Sequence, residues 1–192
     1  MSISATQSLN RGDRVLYATR QIALVIGASL FVALCARVTL PIPLTPVPLT
    51  LQNFGVLVVG LMLGSRRGFA ALALYLAEGM MGFPVFNPTG PGGLAQLIGP
   101  TGGFLLAYPF VAAIAGLIME SGKKSFARAF TAGFVAEVAL FAGGLSWLAI
   151  LTHSLSQAVR FGLYWFVFAE IIKIMSAAGL ASGWQRLRKV QA

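Results

Sequence analysis

Charge is what this chain has least of. Asp, Glu, Lys and Arg together make up 10% of its 192 residues, against about a quarter in an ordinary soluble domain. Acidic residues number five, and cysteine and histidine one each. A lone cysteine, Cys35, excludes a disulfide scaffold and any CxxC redox or metal motif. A lone histidine, His153, leaves no His pair for zinc and no H-E-x-x-H helix. The Gly-Lys pair at Gly122-Lys123 is not a phosphate-binding loop. Leu117 stands where that motif needs glycine, and Lys124 stands where it needs Ser or Thr. No G-x-S-x-G elbow is present. The chain is therefore not expected to be an enzyme: no catalytic residue, metal site or cofactor is assigned, and ATP must be hydrolysed elsewhere if it is used at all.

What is abundant is apolar side chain. The hydrophobic fraction is 57% and mean hydropathy is +0.83, which excludes a soluble globular domain and a disordered chain. The fold class expected is an all-α membrane protein, with residues 1–192 forming one integral membrane domain. Four stretches carry no Asp, Glu, Lys or Arg: 21–36, 38–65, 79–119 and 138–159. A bilayer core about 30 Å thick needs roughly 20 helical residues, so the longer stretches must be divided at their Pro and Gly clusters. Six spans result: 19–40, 51–64, 68–82, 102–120, 126–151 and 157–183. The second and third are too short to cross unaided. Irregular backbone must lie above them, and in a membrane such backbone is tolerated only where protein buries it or a cavity receives it.

The net charge of +9 would suggest nucleic acid in a soluble protein, and here it reports orientation instead. Arg11, Arg14 and Arg20 precede the first span. Arg66 and Arg67 lie between the second and third, Lys123, Lys124 and Arg128 between the fourth and fifth, and Arg186, Arg188 and Lys189 after the sixth. The alternate loops carry no Lys or Arg. By the positive-inside rule both termini are cytoplasmic, with tails at 1–18 and 184–192. No cleavable signal peptide is expected, because about twenty polar residues precede the first apolar run.

The few polar groups inside the spans stand out. Glu170 and Lys173 are three apart on one helical face of the sixth span. Counted along one continuous helix from Phe161, Glu170 lies ~14 Å deep. The pair is either glue between helices or a ligand site in which Lys173 holds a carboxylate or carbonyl and Glu170 accepts from N–H groups. Glu137 pairs with Lys173 or Arg160, or is protonated; the sequence leaves these open. Glu78, Arg37 and Arg160 read as snorkelling groups at the outer ends, with Arg37 or Arg160 able to attract an anion.

The first outer segment, residues 41–50, has four prolines in eight positions and reads as a stiff extended cap unsuited to helix or sheet. It carries Thr45, and Gln52 follows it. The second, 83–104, combines Phe86, Asn87, Gly92, Gly93, Thr101, Gly102 and Phe104: glycines that let backbone approach a ligand, polar groups and flat apolar faces. On the first span, Ala23, Gly27, Ser29 and Ala33 form small residues at four-residue spacing, suited to internal packing or to a partner helix.

Three segments carry a resemblance to a known family: PIPLTPVPLTLQ (41–52), YLAEGMMGFPVF (75–86) and GGLAQLIGPTGGF (92–104). Over residues 20–185 the chain resembles the BioY family, the biotin-specific substrate-binding (S) components of energy-coupling factor (ECF) vitamin transporters. The resemblance implies six transmembrane helices in a bacterial cell membrane and high-affinity biotin capture at extracellular loops. It also implies a transmembrane coupling protein and two ABC-type ATPase subunits as partners, with no nucleic acid. Asn87, Glu170 and Lys173 match the family's polar contacts, Glu170 standing where the family more often has Asp. Asn87 and Glu170 suit the ureido group of biotin, Phe86 and Phe104 its ring, Lys173 its carbonyl or Arg37 its tail. The Ala23, Gly27, Ser29 and Ala33 face then meets the coupling protein. The competing readings are an S component for another vitamin, a small membrane enzyme, which requires a paired-acid or His cluster, and a channel, which requires a polar stripe along a pore.

Overall fold

The computed structural model describes residues 11–190; the outermost parts of the two expected tails, 1–10 and 191–192, lie outside the described residues. The element order is α1 (Arg11–Arg37), β1 (Thr39–Leu40), β2 (Leu49–Thr50), α2 (Gln52–Leu63), α3 (Ser65–Met80), α4 (Gly93–Ile98), α5 (Gly102–Glu120), α6 (Phe126–Thr152), α7 (Leu155–Gly162) and α8 (Val167–Val190). Each expected span holds a helix. Four helices, α1, α5, α6 and α8, are long and apolar enough to cross a membrane. At 12 and 16 residues, α2 and α3 reach only about 18 and 24 Å. Large apolar side chains such as Phe110, Phe134 and Phe168 are exposed on the outer helix faces, as suits a multi-pass protein whose solvent there is lipid.

The helices reach into the expected tails: α1 already runs through 11–18, and α8 continues to Val190. Two expectations are corrected. The proline segment is not wholly outside sheet. Its last two residues, β2, pair with β1 just before it, antiparallel, with Thr39 opposite Thr50 and Leu40 opposite Leu49. The prolines fall between the strands, where no ladder N–H is needed. The sixth span is not one helix either. It breaks between Gly162 and Val167 into α7 and α8. A Cβ on Gly162 would lie 2.7 Å from Leu148 Cδ1 and 3.2 Å from Phe104 Cζ, so the chain turns where it presses against its neighbours. Glu170 therefore lies in the first turn of α8, and its depth cannot be counted along a continuous helix from Phe161.

The centre of the molecule is α5, packed against α2, α3 and α6. Its buried side includes Val111, Ala112 and Ala115, all fully covered. Such small side chains allow close backbone approach, which substitutes in membranes for a hydrophobic driving force between helices. α5 meets the start of α3 closely at Gly116, where an added Cβ would lie 2.2 Å from the Ser65 nitrogen. One turn further on, the Glu120 carboxylate accepts from the Ser65 N–H (2.9 Å) and the Ser65 hydroxyl (2.8 Å). It thereby satisfies a free N–H at the start of α3, where negative charge is favoured.

This packing gives a direct test. Gly116→Leu forces backbone apart and is expected to lower the thermal unfolding midpoint in detergent sharply, or to abolish the folded monodisperse species. Gly27→Ala, at a position with nothing within 4 Å of the added Cβ, is expected to leave both unchanged in size-exclusion and melting measurements.

Candidate functional site

The first turn of α2, the middle of α6 and the start of α8 bring four polar side chains together. Asn53 Nδ2 donates to Glu137 Oε2 (2.7 Å) and to Glu170 Oε2 (2.8 Å). Lys173 Nζ donates to Glu170 Oε1 at 2.7 Å, an ion pair one helical turn apart. A side-chain amide has two N–H groups, and here each carboxylate receives one. The reverse amide orientation would point Oδ1 at two carboxylates, so the network fixes which way Asn53 faces. Asn53 and Glu137 are each 4% exposed, Glu170 6% and Lys173 8%. Groups this buried must be partnered or else lose about 1–3 kcal/mol apiece. Two atoms nevertheless have no protein partner: Asn53 Oδ1 and Glu137 Oε1.

These four residues line one small cavity of about 50 Å³, open at its mouth. The helices supply Leu105, Tyr108, Leu140 and Phe141 as further walls, and the outer segments supply Val47, Pro48, Asn87 and Thr101. Phe104 meets Phe141 edge-on, with ring centroids 6.3 Å apart. Polar groups converging in an apolar surround distinguish this cavity. A roomier groove on the flank, between α1 and the segment after α3, is an open surface lined by Leu30, Leu34 and Phe83 among others.

The loops over the cavity are tied down. Thr45 Oγ1 donates to the Phe161 carbonyl of α7 (2.6 Å) and accepts from Val47 N–H (3.1 Å). Gln52 Nε2 donates to the Tyr75 hydroxyl (2.7 Å), which donates to the Val85 carbonyl (2.9 Å). Trp147 Nε1 donates to the Gly99 carbonyl (2.9 Å). The cavity mouth is thus built on irregular backbone held by side chains from α3, α6 and the proline segment.

Of the twelve residues assigned to ligand binding from the sequence, six line this cavity: Gln52, Asn87, Thr101, Phe104, Glu170 and Lys173. The other six do not, and each has a local explanation. Thr45 is a loop tether. Phe86 fills the space over Gly79 and packs edge-on against Tyr75, with centroids 5.4 Å apart. Gly92 and Gly93 hold positive φ, 70° and 58°, at the start of α4, a backbone shape glycine adopts without strain. An added Cβ on Gly102 would strike the Leu97 carbonyl at 1.8 Å. Arg37 lies in the flank groove with Glu78. Of the small-residue face on α1, Ala23 and Gly27 are exposed, whereas Ser29 and Ala33 are buried within the chain. The Ser29 hydroxyl donates to Glu78. Asn53 was missed altogether. Its signal was available: a second amide beside Gln52 in a helix start otherwise apolar. Glu137 meets the Asn53 amide and makes no direct bond to Lys173 or Arg160 among the described residues.

Asn53→Leu removes the donor shared by both carboxylates while keeping the volume. It is expected to destabilise the fold by about 2–4 kcal/mol, seen as a lower melting midpoint in detergent. An unchanged midpoint would show that the network carries no stability.

The chain is similar to known proteins in sequence and in fold. Residues 5–190 match the family model described as the BioY family. A "Biotin transporter BioY" of Thermotoga maritima is 37% identical over 168 residues, covering 87% of this chain and 96% of the relative. A "Probable biotin transporter BioY" of Pyrococcus horikoshii is 35% identical over 158 residues, covering 82% and 93%. The fold is similar to a crystal structure described as the S-component for biotin from an ECF-type ABC transporter. The TM-score is 0.79 over 91% of this chain and 93% of that one, at 23% identity.

Proposed function

Because the chain belongs to the BioY family, we propose that it is the biotin-capturing S component of an ECF-type vitamin uptake transporter, and not itself an enzyme. The observation that carries this reading is the cavity in which Lys173, Glu170, Asn53 and Glu137 converge behind apolar walls. Biotin offers a compact ring of matching character: two N–H donors and one carbonyl on a ureido group, an apolar thioether ring and a carboxylate tail. Lys173 carries three donor hydrogens, of which Glu170 takes one, so it can serve the ligand carbonyl. Both oxygens of Glu170 are engaged, by Lys173 and by Asn53. Its role is to hold the ammonium in place more than to meet the ligand. Phe104 and Phe141 flank the ring, and Asn87 and Thr101 lie on the loop side of the same cavity.

The energy for uptake comes from partners, a coupling protein in the membrane and two ABC-type ATPase subunits. The exposed half of the small-residue face, Ala23 and Gly27, suits close contact with a partner helix; Ser29 and Ala33 serve internal packing instead. The basic segments place both termini on the cytoplasmic side of a six-span bacterial membrane protein. The cavity then opens outward, beneath loops that carry no Lys or Arg.

Titration of the purified detergent-solubilised protein with biotin, thiamine and riboflavin tests this reading. Biotin is expected to bind at sub-micromolar concentration and the other two not at all; no biotin binding at micromolar ligand overturns it. Lys173→Ala and Glu170→Ala are each expected to weaken biotin by about 2 kcal/mol, roughly 30-fold, since each leaves a buried polar group unpaired. Unchanged affinity in both would assign the ion pair to structure alone.

A further inference from the structure

We propose that Asn53 and Glu137 are specificity-determining ligand contacts, which read the two N–H groups of a cyclic urea and fix the bound molecule with its ring against the helices and its anionic tail toward the loops. The inference rests on the biotin reading and deepens it.

Two buried acceptors in one cavity have no partner in the protein, Asn53 Oδ1 and Glu137 Oε1. Each belongs to a side chain more than nine-tenths buried. Each is already oriented by the bond its other atom makes, Asn53 Nδ2 to both carboxylates and Glu137 Oε2 to Asn53. Neither can rotate to satisfy itself without breaking the network. Such a pair is a standing requirement for two donors. Between them in chemistry stands Lys173, a donor with hydrogens to spare and both faces of its partner occupied. The cavity thus presents acceptor, donor and acceptor. A cyclic urea presents the complement: N–H, C=O and N–H. Sites built to hydrogen-bond a polar edge reject analogues lacking it far more strongly than apolar walls reject a change of size.

The same residues set the direction of the ligand. The charged groups facing the cavity are two carboxyl groups and one ammonium, and the ammonium is already paired with Glu170 at 2.7 Å. A ligand carboxylate placed there would meet two like groups. The loop side offers the amide of Asn87 and the hydroxyl of Thr101, both lining the cavity and both uncharged. The tail is therefore directed outward, to the loops.

The experiment is a binding cycle on the full-length detergent-solubilised protein, read by equilibrium competition against labelled biotin. The wild type and Glu137→Gln are each measured with biotin, with dethiobiotin, which keeps both N–H groups, and with biotin methylated on either ureido nitrogen. In the wild type, dethiobiotin is expected to compete, and methylation of either nitrogen to cost at least about tenfold. Glu137→Gln presents an amide N–H to a ligand N–H and is expected to weaken biotin at least about tenfold. The methylation penalty at one nitrogen is expected to shrink at least fivefold in that variant, a coupling that a merely structural Glu137 would not produce. If the variant does not fold, the wild-type series decides: methylated biotins that bind as well as biotin overturn the inference. So do a full methylation penalty in a folded Glu137→Gln and unchanged biotin affinity there, and in these cases biotin capture itself stands. Failure of the wild type to bind biotin at all overturns the inference together with the reading beneath it.

Discussion

One asparagine amide shared between two carboxylates holds the site together. Asn53 on α2 reaches Glu137 on α6 and Glu170 on α8, and Glu170 in turn fixes Lys173. Helices in a bilayer gain little from burying apolar faces against each other, because lipid is as apolar as they are. Polar contacts and close packing must therefore define how they meet. Here the small-residue packing of α5 sets the centre, and the polar network stitches α2, α6 and α8 around it. The stitch is incomplete by two acceptors, and the proposed ligand contact would complete it.

The irregular segments follow from the same constraint. A 12-residue α2 cannot span a bilayer, so irregular backbone folds over its polar first turn. The proline segment closes as a two-stranded clip, and Thr45 pins it to α7. The break before α8 puts Glu170 and Lys173 at a helix start beside Asn53. A continuous sixth helix would carry those residues on a straight rod without the turn that brings Phe166 and Gly162 to the cavity wall.

How legible this was in the sequence depends on the kind of signal. Long apolar runs and one-sided basic clusters gave the helices and the expected orientation, because span length and charge placement are local properties. Glu170 and Lys173 were visible because an ion pair in an apolar helix has few other uses. Asn53 was not, since a neutral amide next to Gln52 carries no charge to mark it; only the distance to two carboxylates from other helices reveals it. Glycines at 92, 93 and 102 are ambiguous for a related reason. A glycine that frees backbone for a ligand and one that frees it for φ or for a neighbouring carbonyl look alike in sequence. The helix break at 163–166 has no proline to announce it, only Gly162 pressed against Leu148 and Phe104.

The central claim is that the helix-borne polar network reads the ring of the ligand. An experimental structure of the protein with biotin bound tests it most directly. The ureido ring is expected within hydrogen-bonding distance of Asn53 Oδ1, Glu137 Oε1 and Lys173 Nζ, with the carboxylate tail toward Asn87 and Thr101. A ring seated among the loops with its tail on Lys173, or a ligand in the flank groove beside Arg37, would contradict it.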